Sequence, residues 1–531
     1  MNGLFLTVCL SAIVGFAILA KMLRLPYPIV FVLGGIVLAL IPGVPEVKLA
    51  PDTVFLLFLP PLIFGDGWST DFRAFKRYLR PISSLAIGLV AATSVAVAWF
   101  VHVVMGLPLA VGFVLGAILS PTDAVATESI ANELGMPRRL STIISGESLV
   151  NDATGLVIFR FAVIAVATGM FSLVGAIGKF FYVAIGGIAI GLLIAWLLGA
   201  LLAKLRKKGL VDPVISVAIS LVTPFALYAP ADALGMSGVL AAMSGAVYLS
   251  WRNAEFFEAD ARLQAGAIWE LLFFCFNGAA FVLIGLQLRS ITRALDGAGY
   301  SPVTLIGLSV AVAVVVIVVR YLWVFVLSAS RNAMTRERTS DGPMPFSWQI
   351  VMGTAGMRGV VSLAAALAIP ETIANGEPFP NRDLLLFITF VVILVTLVGQ
   401  GLLLPVLIRK LGVIETDDGS VIAGARLRLA QAARASVAEF ESIDGSAEER
   451  DQIARFAAGF DQRIAHAEGL AAGEADTAVT PAVRMRNEIM RGVGGAQRKA
   501  LADLRASGQI NDDVYWELQR EIDLLDSRGA V

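Results

Sequence analysis

Long apolar stretches separated by short charged loops run from the N-terminus to about residue 410. A helix needs about 20 apolar residues to cross the hydrocarbon core of a bilayer. Thirteen stretches fit that template, at roughly 2–21, 26–43, 51–67, 82–104, 108–131, 140–168, 178–203, 211–229, 236–251, 264–288, 302–328, 347–369 and 384–408. The third is short and carries Pro60–Pro61, which predicts a kink. From about residue 412 the apolar runs stop and Ala, Arg, Glu and Asp dominate. Segments 424–441, 447–470 and 481–527 keep a helical period and are rich in helix formers, with breaks at Gly473, Thr480 and Pro481. The pattern predicts an all-α polytopic membrane domain over 1–411 and a soluble helical tail over 412–531.

Composition agrees. The chain has 531 residues, 57% hydrophobic and 16% charged, far too apolar for a soluble globule. A net charge of −1 gives no basic field for a nucleic-acid partner, so the expected surroundings are lipid. Cys9 and Cys275 both sit in apolar stretches, and His102 and His466 lie far apart, so neither a disulfide framework nor a zinc site is expected. Residues 2–20 lack a charged leader and read as a retained span. Placing the N-terminus outside gathers nineteen Lys and Arg in the loops holding Lys21/Arg24, Arg73–Arg80, Arg138–Arg139, Lys204–Lys208, Arg252/Arg262, Arg331–Arg338 and Arg409–Lys410. Five remain outside: Lys48, Lys179, Arg289, Arg293 and Arg382. The positive-inside rule makes the rich side cytoplasmic, and an odd number of spans sends the tail there in the cell membrane.

The chemistry lies in charges buried where charge is costly. Asp123, Glu147, Asp152, Arg320 and Arg358 all fall inside apolar stretches. At bilayer depth each costs about 3 kcal/mol or more unless it pairs or faces a wet cavity. The fifth stretch reads LGAILSPTDAVATESIA over 115–131, where Pro121 frees backbone carbonyls beside Ser120, Thr122 and Asp123. The twelfth reads VMGTAGMRGVVSLAAALA over 351–368, loosened by Gly353, Gly356 and Gly359 and made polar by Thr354 and Arg358. Irregular backbone at that depth is tolerated only where it is buried or lines a cavity. The two breaks are seven spans apart, and an odd offset inverts the second unit, the pattern of an inverted-repeat transporter with two crossing broken helices. The sixth stretch carries SGESLVNDATGLVIF over 145–159, which puts Ser148 and Asp152 on one helix face and likewise Glu147 and Asn151. Oxygens from Thr122, Asp123, Ser148 and Asp152 suit a hard monovalent cation such as sodium or lithium. If each arginine takes one of the three acids, one carboxylate is left over. Desolvation disfavours such a group's charged form, so it holds a proton or a cation but not both. That competition would exchange one proton for one cation without net charge.

The string GESLVNDATGLVIF resembles the sixth-helix signature of sodium/proton antiporters of the first monovalent cation:proton antiporter branch, which includes the animal sodium/proton exchangers. SPTDAV resembles their broken-helix motif, and FLPPLIF (58–64), FVLIGLQL (281–288) and GMRGVVSLA (356–364) are similar to theirs, in the same order, over about 1–410. Ala124 departs from the proline common after the aspartate, with Pro121 still present. The resemblance implies that Asp152 is the exchanging carboxylate, and that Asp123 joins in coordination and is neutralised by Arg358. Glu147 would form a structural bridge with Arg320. Thr122 and Ser148 would supply oxygens, and Asn151 would shape the site. An Asn–Asp pair is the form associated with electroneutral exchange. It also implies a homodimer in which core spans over roughly 82–168 and 302–408 move against scaffold spans over 2–67 and 178–288. No cofactor is implied beyond the transported ions.

A potassium/proton antiporter on the same fold is the nearest alternative, since oxygen ligands do not rank the alkali cations. A cation channel would need a repeated filter or pore ring that the sequence lacks. An intramembrane aspartyl protease would need a glycine–aspartate pattern that is missing. Other polar residues carry less weight. Arg160 awaits an acidic partner or an interface, Asp66 follows the kinked third span, Gln287 reads as a packing hydrogen bond, and His102 reads as passive. The tail's mixed-charge helices are candidates for regulation by an unidentified partner or for autoinhibition.

Overall fold

The structure is a computed structural model that describes residues 3–42, 57–169, 173–295, 301–334, 344–373, 376–415, 420–441 and 446–471, with scattered residues from 485 onward. Residues 51–56 of the third predicted span and most of 481–527 lie outside the described residues. Among the described residues the fold is all-helical, with one isolated β-bridge between Thr372 and Pro378.

The membrane unit begins with α1 (Gly3–Leu23), α2 (Tyr27–Leu40), α3 (Leu59–Ser69) and α4 (Leu79–Met105). The first broken helix follows as α5 (Leu109–Leu119) and α6 (Ala124–Leu134), and then α7 (Arg138–Thr168). Next come α8 (Leu173–Lys207), α9 (Pro213–Ala233), α10 (Gly238–Trp251), α11 (Ala259–Leu286) and α12 (Pro302–Met334). The second broken helix is α13 (Phe346–Thr354) and α14 (Val360–Leu367), and α15 (Arg382–Lys410) closes the unit. Eight helices among the described residues are long and apolar enough to cross a membrane, and Leu10–Leu23, Tyr27–Leu40 and Gly238–Trp251 are shorter apolar helices.

Local chemistry sets the boundaries. Pro108 and Pro137 immediately precede α5 and α7, where a missing N–H costs nothing. Gly135 and Gly169 end α6 and α7 in the left-handed conformation, which lacks a Cβ penalty only for glycine. Segments of π-helix interrupt α4 at Ser84–Leu89 and α15 at Val395–Gln400, a wider turn that often accompanies functional sites. Helices α2 and α11 approach backbone to backbone, because Cβ atoms at Gly35 or Gly285 would strike the carbonyls of Val282 and Val32. Small residues at such contacts substitute for the hydrophobic drive that lipid does not supply.

Contacts divide the chain into two compact units, Met1–Glu415 and Thr416–Val531. In the second, α16 (Ser420–Glu441) and α17 (Ala447–Ala471) pack together, tied by Arg434 to Asp461 at 3.0 Å. Ser446 and Glu449 form a capping box at the start of α17: the Ser446 N–H donates to Glu449 at 2.7 Å and the Glu449 N–H donates back to the Ser446 hydroxyl at 3.3 Å. The Ser446 N–H holds the exposed Glu449 carboxyl below its usual range.

Candidate functional site

Each break leaves backbone groups without helical partners, and the two breaks supply one another. The Asp123 N–H donates to the Met357 carbonyl at 2.8 Å. The Arg358 Nε donates to the Leu119 carbonyl, at the end of α5, at 2.9 Å. The two interrupted helices therefore meet at their breaks. Asp123 caps α6, its carboxylate accepting the Val125 N–H at 2.9 Å, which satisfies one of the orphan donors of a helix start.

Arg358 is buried, and its partners are carbonyls. Besides Leu119 it donates to the Gly356 carbonyl, and its own N–H is held by the Thr396 hydroxyl at 3.2 Å from the π-helical part of α15. Among the described residues it makes no ion pair with Asp123, so any compensation of the Asp123 charge by Arg358 acts across the crossing rather than through a contact pair. The physical reason is the negative partial charge at a helix C-terminus. Leu119 ends α5 and Gly356 follows α13, and a guanidinium placed between those ends compensates both.

Glu147 and Arg320 form a two-pronged ion pair at 2.5 and 2.9 Å, both side chains fully buried. The Arg320 Nε also donates to the Met352 carbonyl of α13 at 3.1 Å, so the pair ties α7 and α12 to the second broken helix. A chain of hydrogen bonds runs on from it. The Asn151 amide donates to Thr122 Oγ1 at 2.8 Å, and Thr122 Oγ1 donates to Glu147 at 3.3 Å. Ser148 Oγ donates to the Thr122 carbonyl at 2.8 Å and accepts the Ala124 N–H at 3.2 Å. Thr122, Ser148 and Asn151 thus hold the first break against α7, and Gly155 admits the Pro121 ring where a Cβ would collide.

A small cavity of about 30 Å³ lies beside the crossing, room for one or two water-sized bodies. Asp152, Asp123, Thr122 and Ser148 border it. Asp152 is buried and, among the described residues, makes no hydrogen bond or ion pair. Asp66 of α3 borders the same cavity, within electrostatic reach of Asp123, Asp152 and Glu128. In the sequence Asp66 carries little weight and Glu128 stands in no quoted motif; its carboxylate accepts the Ser145 hydroxyl. Glu128 lies inside the fifth apolar stretch, so the burial reasoning applied to Asp123 would have found it. Asn277 of α11, which lies in no motif, and Ser362 of α14, which lies within GMRGVVSLA, also border the cavity. Arg160 reaches Asp232 of α9 at 2.9 Å, with both groups partly exposed. The His102 ring contacts the Leu107 carbonyl at 2.8 Å beyond the end of α4, and Gln287 accepts the Ser290 hydroxyl at 3.0 Å.

Gly359 gives the closest approach in the site. A Cβ there would overlap the Asp123 carboxylate. Gly359→Ala is expected to displace Asp123 and cut transport at least tenfold, since overpacking of this kind costs about 1–3 kcal/mol. Comparing vesicle flux at matched amounts of folded protein checks this; full activity would show that Asp123 has room to yield.

Two interrupted helices that exchange backbone bonds, with carboxylates gathered on a small buried cavity beside them, make up the architecture of a secondary ion transporter. The family described as sodium/hydrogen exchanger, transmembrane, matches residues 8–410, and the chain belongs to that family. It is 36% identical to an uncharacterized Na+/H+ exchanger of Mycobacterium tuberculosis, over 98% of this chain and 95% of that one. It is 34% identical to a sodium, potassium, lithium and rubidium/H+ antiporter of Bacillus pumilus, over 73% of this chain and 58% of that protein. The sodium proton antiporter of Methanocaldococcus jannaschii shares the fold, with a TM-score of 0.56 at 19% identity, covering 77% of this chain and 98% of the other. The protein is a multi-pass membrane cation/proton antiporter.

Proposed function

We propose that the protein exchanges sodium or lithium for protons, one for one, with cation and proton competing for Asp152. The observation that carries this is the Asp152 carboxylate itself, buried on the cavity with no hydrogen bond or ion pair among the described residues. Its two productive forms, protonated and cation-bound, carry the same net charge. The empty anion costs several kcal/mol to move through hydrocarbon, which suppresses movement without cargo and couples the two fluxes. Glu147 is tied to Arg320 through two bonds and so is not a second exchanging carboxylate, which favours electroneutral exchange. Asp123 supports the cation from the break, and Thr122, Ser148 and Asn151 fix the break's shape.

The proposal includes thirteen membrane crossings in an inverted repeat, with the N-terminus outside and residues 412–531 in the cytoplasm. The spans over 82–168 and 302–408 act as a moving core. Those over 2–67 and 178–288 act as a scaffold and homodimer interface. The cavity is bordered by both groups, with Asp66 and Asn277 on scaffold helices and Asp152 and Ser362 on core helices, as alternating access requires. Potassium/proton exchange is the second reading, favoured by the Bacillus relative, whose name includes potassium.

Competition at one carboxylate has a definite pH signature. Where the site is mostly protonated, the half-saturating cation concentration should rise about tenfold for each unit that pH falls. Initial exchange rates in vesicles, measured against cation concentration at several pH values, test this. A half-saturating concentration that does not move with pH would mean that proton and cation use separate sites.

A further inference from the structure

We propose that the Ser362 hydroxyl and the side-chain carbonyl of Asn277 complete the oxygen shell of the transported cation and set its preference among the alkali cations. This rests on the antiport reading above and gives a role to Asn277, which lies in no motif, and to Ser362, which lies within GMRGVVSLA.

Hard cations take about six oxygen ligands. A hydroxyl offers two lone pairs. Ser148 Oγ spends one on the Ala124 N–H, Thr122 Oγ1 spends one on Asn151, and one Asp123 oxygen holds the Val125 N–H. Thr122, Asp123 and Ser148 are therefore partly committed to holding the break, and Asp152 makes no bond among the described residues. Ser362 differs. It borders the cavity, is 2% exposed, and its hydroxyl has no partner among the described residues. An unpartnered hydroxyl at that burial is costly, and native structures seldom keep one unless a ligand or water satisfies it. Asn277 borders the same cavity, and its amide makes no hydrogen bond among the described residues. Both groups are neutral, so they add ligands without altering the charge balance between proton-bound and cation-bound forms.

Their placement differs in a useful way. Ser362 lies on α14, four residues past Arg358. Asn277 lies on α11, next to Gly278, where a Cβ would press on Ile13 of α1, and α11 is locked to α2 by the Gly35 and Gly285 contacts. In the core–scaffold reading Ser362 travels with the cation, whereas Asn277 reaches it in the access state seen here.

The test is the half-saturating concentration of sodium, lithium and potassium for exchange by the full chain in sealed vesicles. Ser362→Ala should raise it about threefold to tenfold for sodium and lithium, as expected for one lost neutral contact. Potassium should change less, because a weakly hydrated cation depends less on each ligand. Ser362→Thr keeps the hydroxyl and should stay close to wild type. Ser362→Ala removes one oxygen and strands no partner, so it should fold; Asn277→Ala carries the test independently. A purely structural role would change the maximal rate equally for all three cations. Unchanged cation order and concentrations in both alanine variants, with wild-type exchange intact, would overturn this inference alone. Wild-type vesicles that show no cation-driven proton movement would overturn the antiport reading and this inference with it.

Discussion

Asp152→Asn is expected to abolish exchange. Vesicles containing that variant should show no proton movement on addition of sodium, lithium or potassium. The substitution is nearly isosteric, so the cavity and its walls should survive, and removal of a buried carboxylate that has no partner among the described residues should leave folding intact or improved. What disappears is the ability to alternate between a protonated form and a cation-bound form of equal charge. Asp152→Glu should keep some activity with altered cation affinity, since the acid remains but its reach into a cavity of about 30 Å³ is wrong. A monodisperse Asp152→Asn protein with wild-type flux would move the exchanging group elsewhere, with Asp66 and Asp123 next in line on the same cavity.

Arg320→Ala is expected to have the largest effect on stability. Arg320 is fully buried, pairs with Glu147 through two bonds, and holds the Met352 carbonyl. Removing one member of a buried pair leaves an uncompensated charge and costs about 3–5 kcal/mol. Here the stranded Glu147 would also disturb Thr122 and Asn151, which hang from it, so the first break should loosen. Thermal unfolding in detergent should show a markedly lower midpoint for Arg320→Ala, and for Glu147→Ala as well. The double variant Glu147→Gln with Arg320→Met removes both charges and should recover part of the loss, because the pair is coupled. If the single and double variants are equally destabilised, the ion pair is not what holds these helices together.

The sequence makes some of this readable and hides the rest for physical reasons. Pro121 and the three glycines around Arg358 mark the breaks because each changes what the backbone can do. Glu147 and Arg320 stand out because charge at membrane depth demands a partner, and the structure joins them. Arg358 shows the limit. Its guanidinium goes to the carbonyls of Leu119 and Gly356, and carbonyls exist at every residue, so no side-chain pattern announces them. Asn277 and Ser362 reach the cavity because of how α11 and α14 are rotated and packed. Rotation about a helix axis is set by neighbours distant in sequence, and a helix apolar on most faces gives little internal sign of which face turns inward. The π-helical turns of α4 and α15 are hidden likewise, since their residues have ordinary helix-forming composition.

The most direct test of a single carboxylate exchanging one proton for one cation is cation-driven pH change in sealed vesicles with and without a clamp on membrane potential. The account predicts a response to sodium or lithium that the clamp does not alter and that Asp152→Asn eliminates. A response that grows or collapses with the potential, or that persists in Asp152→Asn, would contradict it.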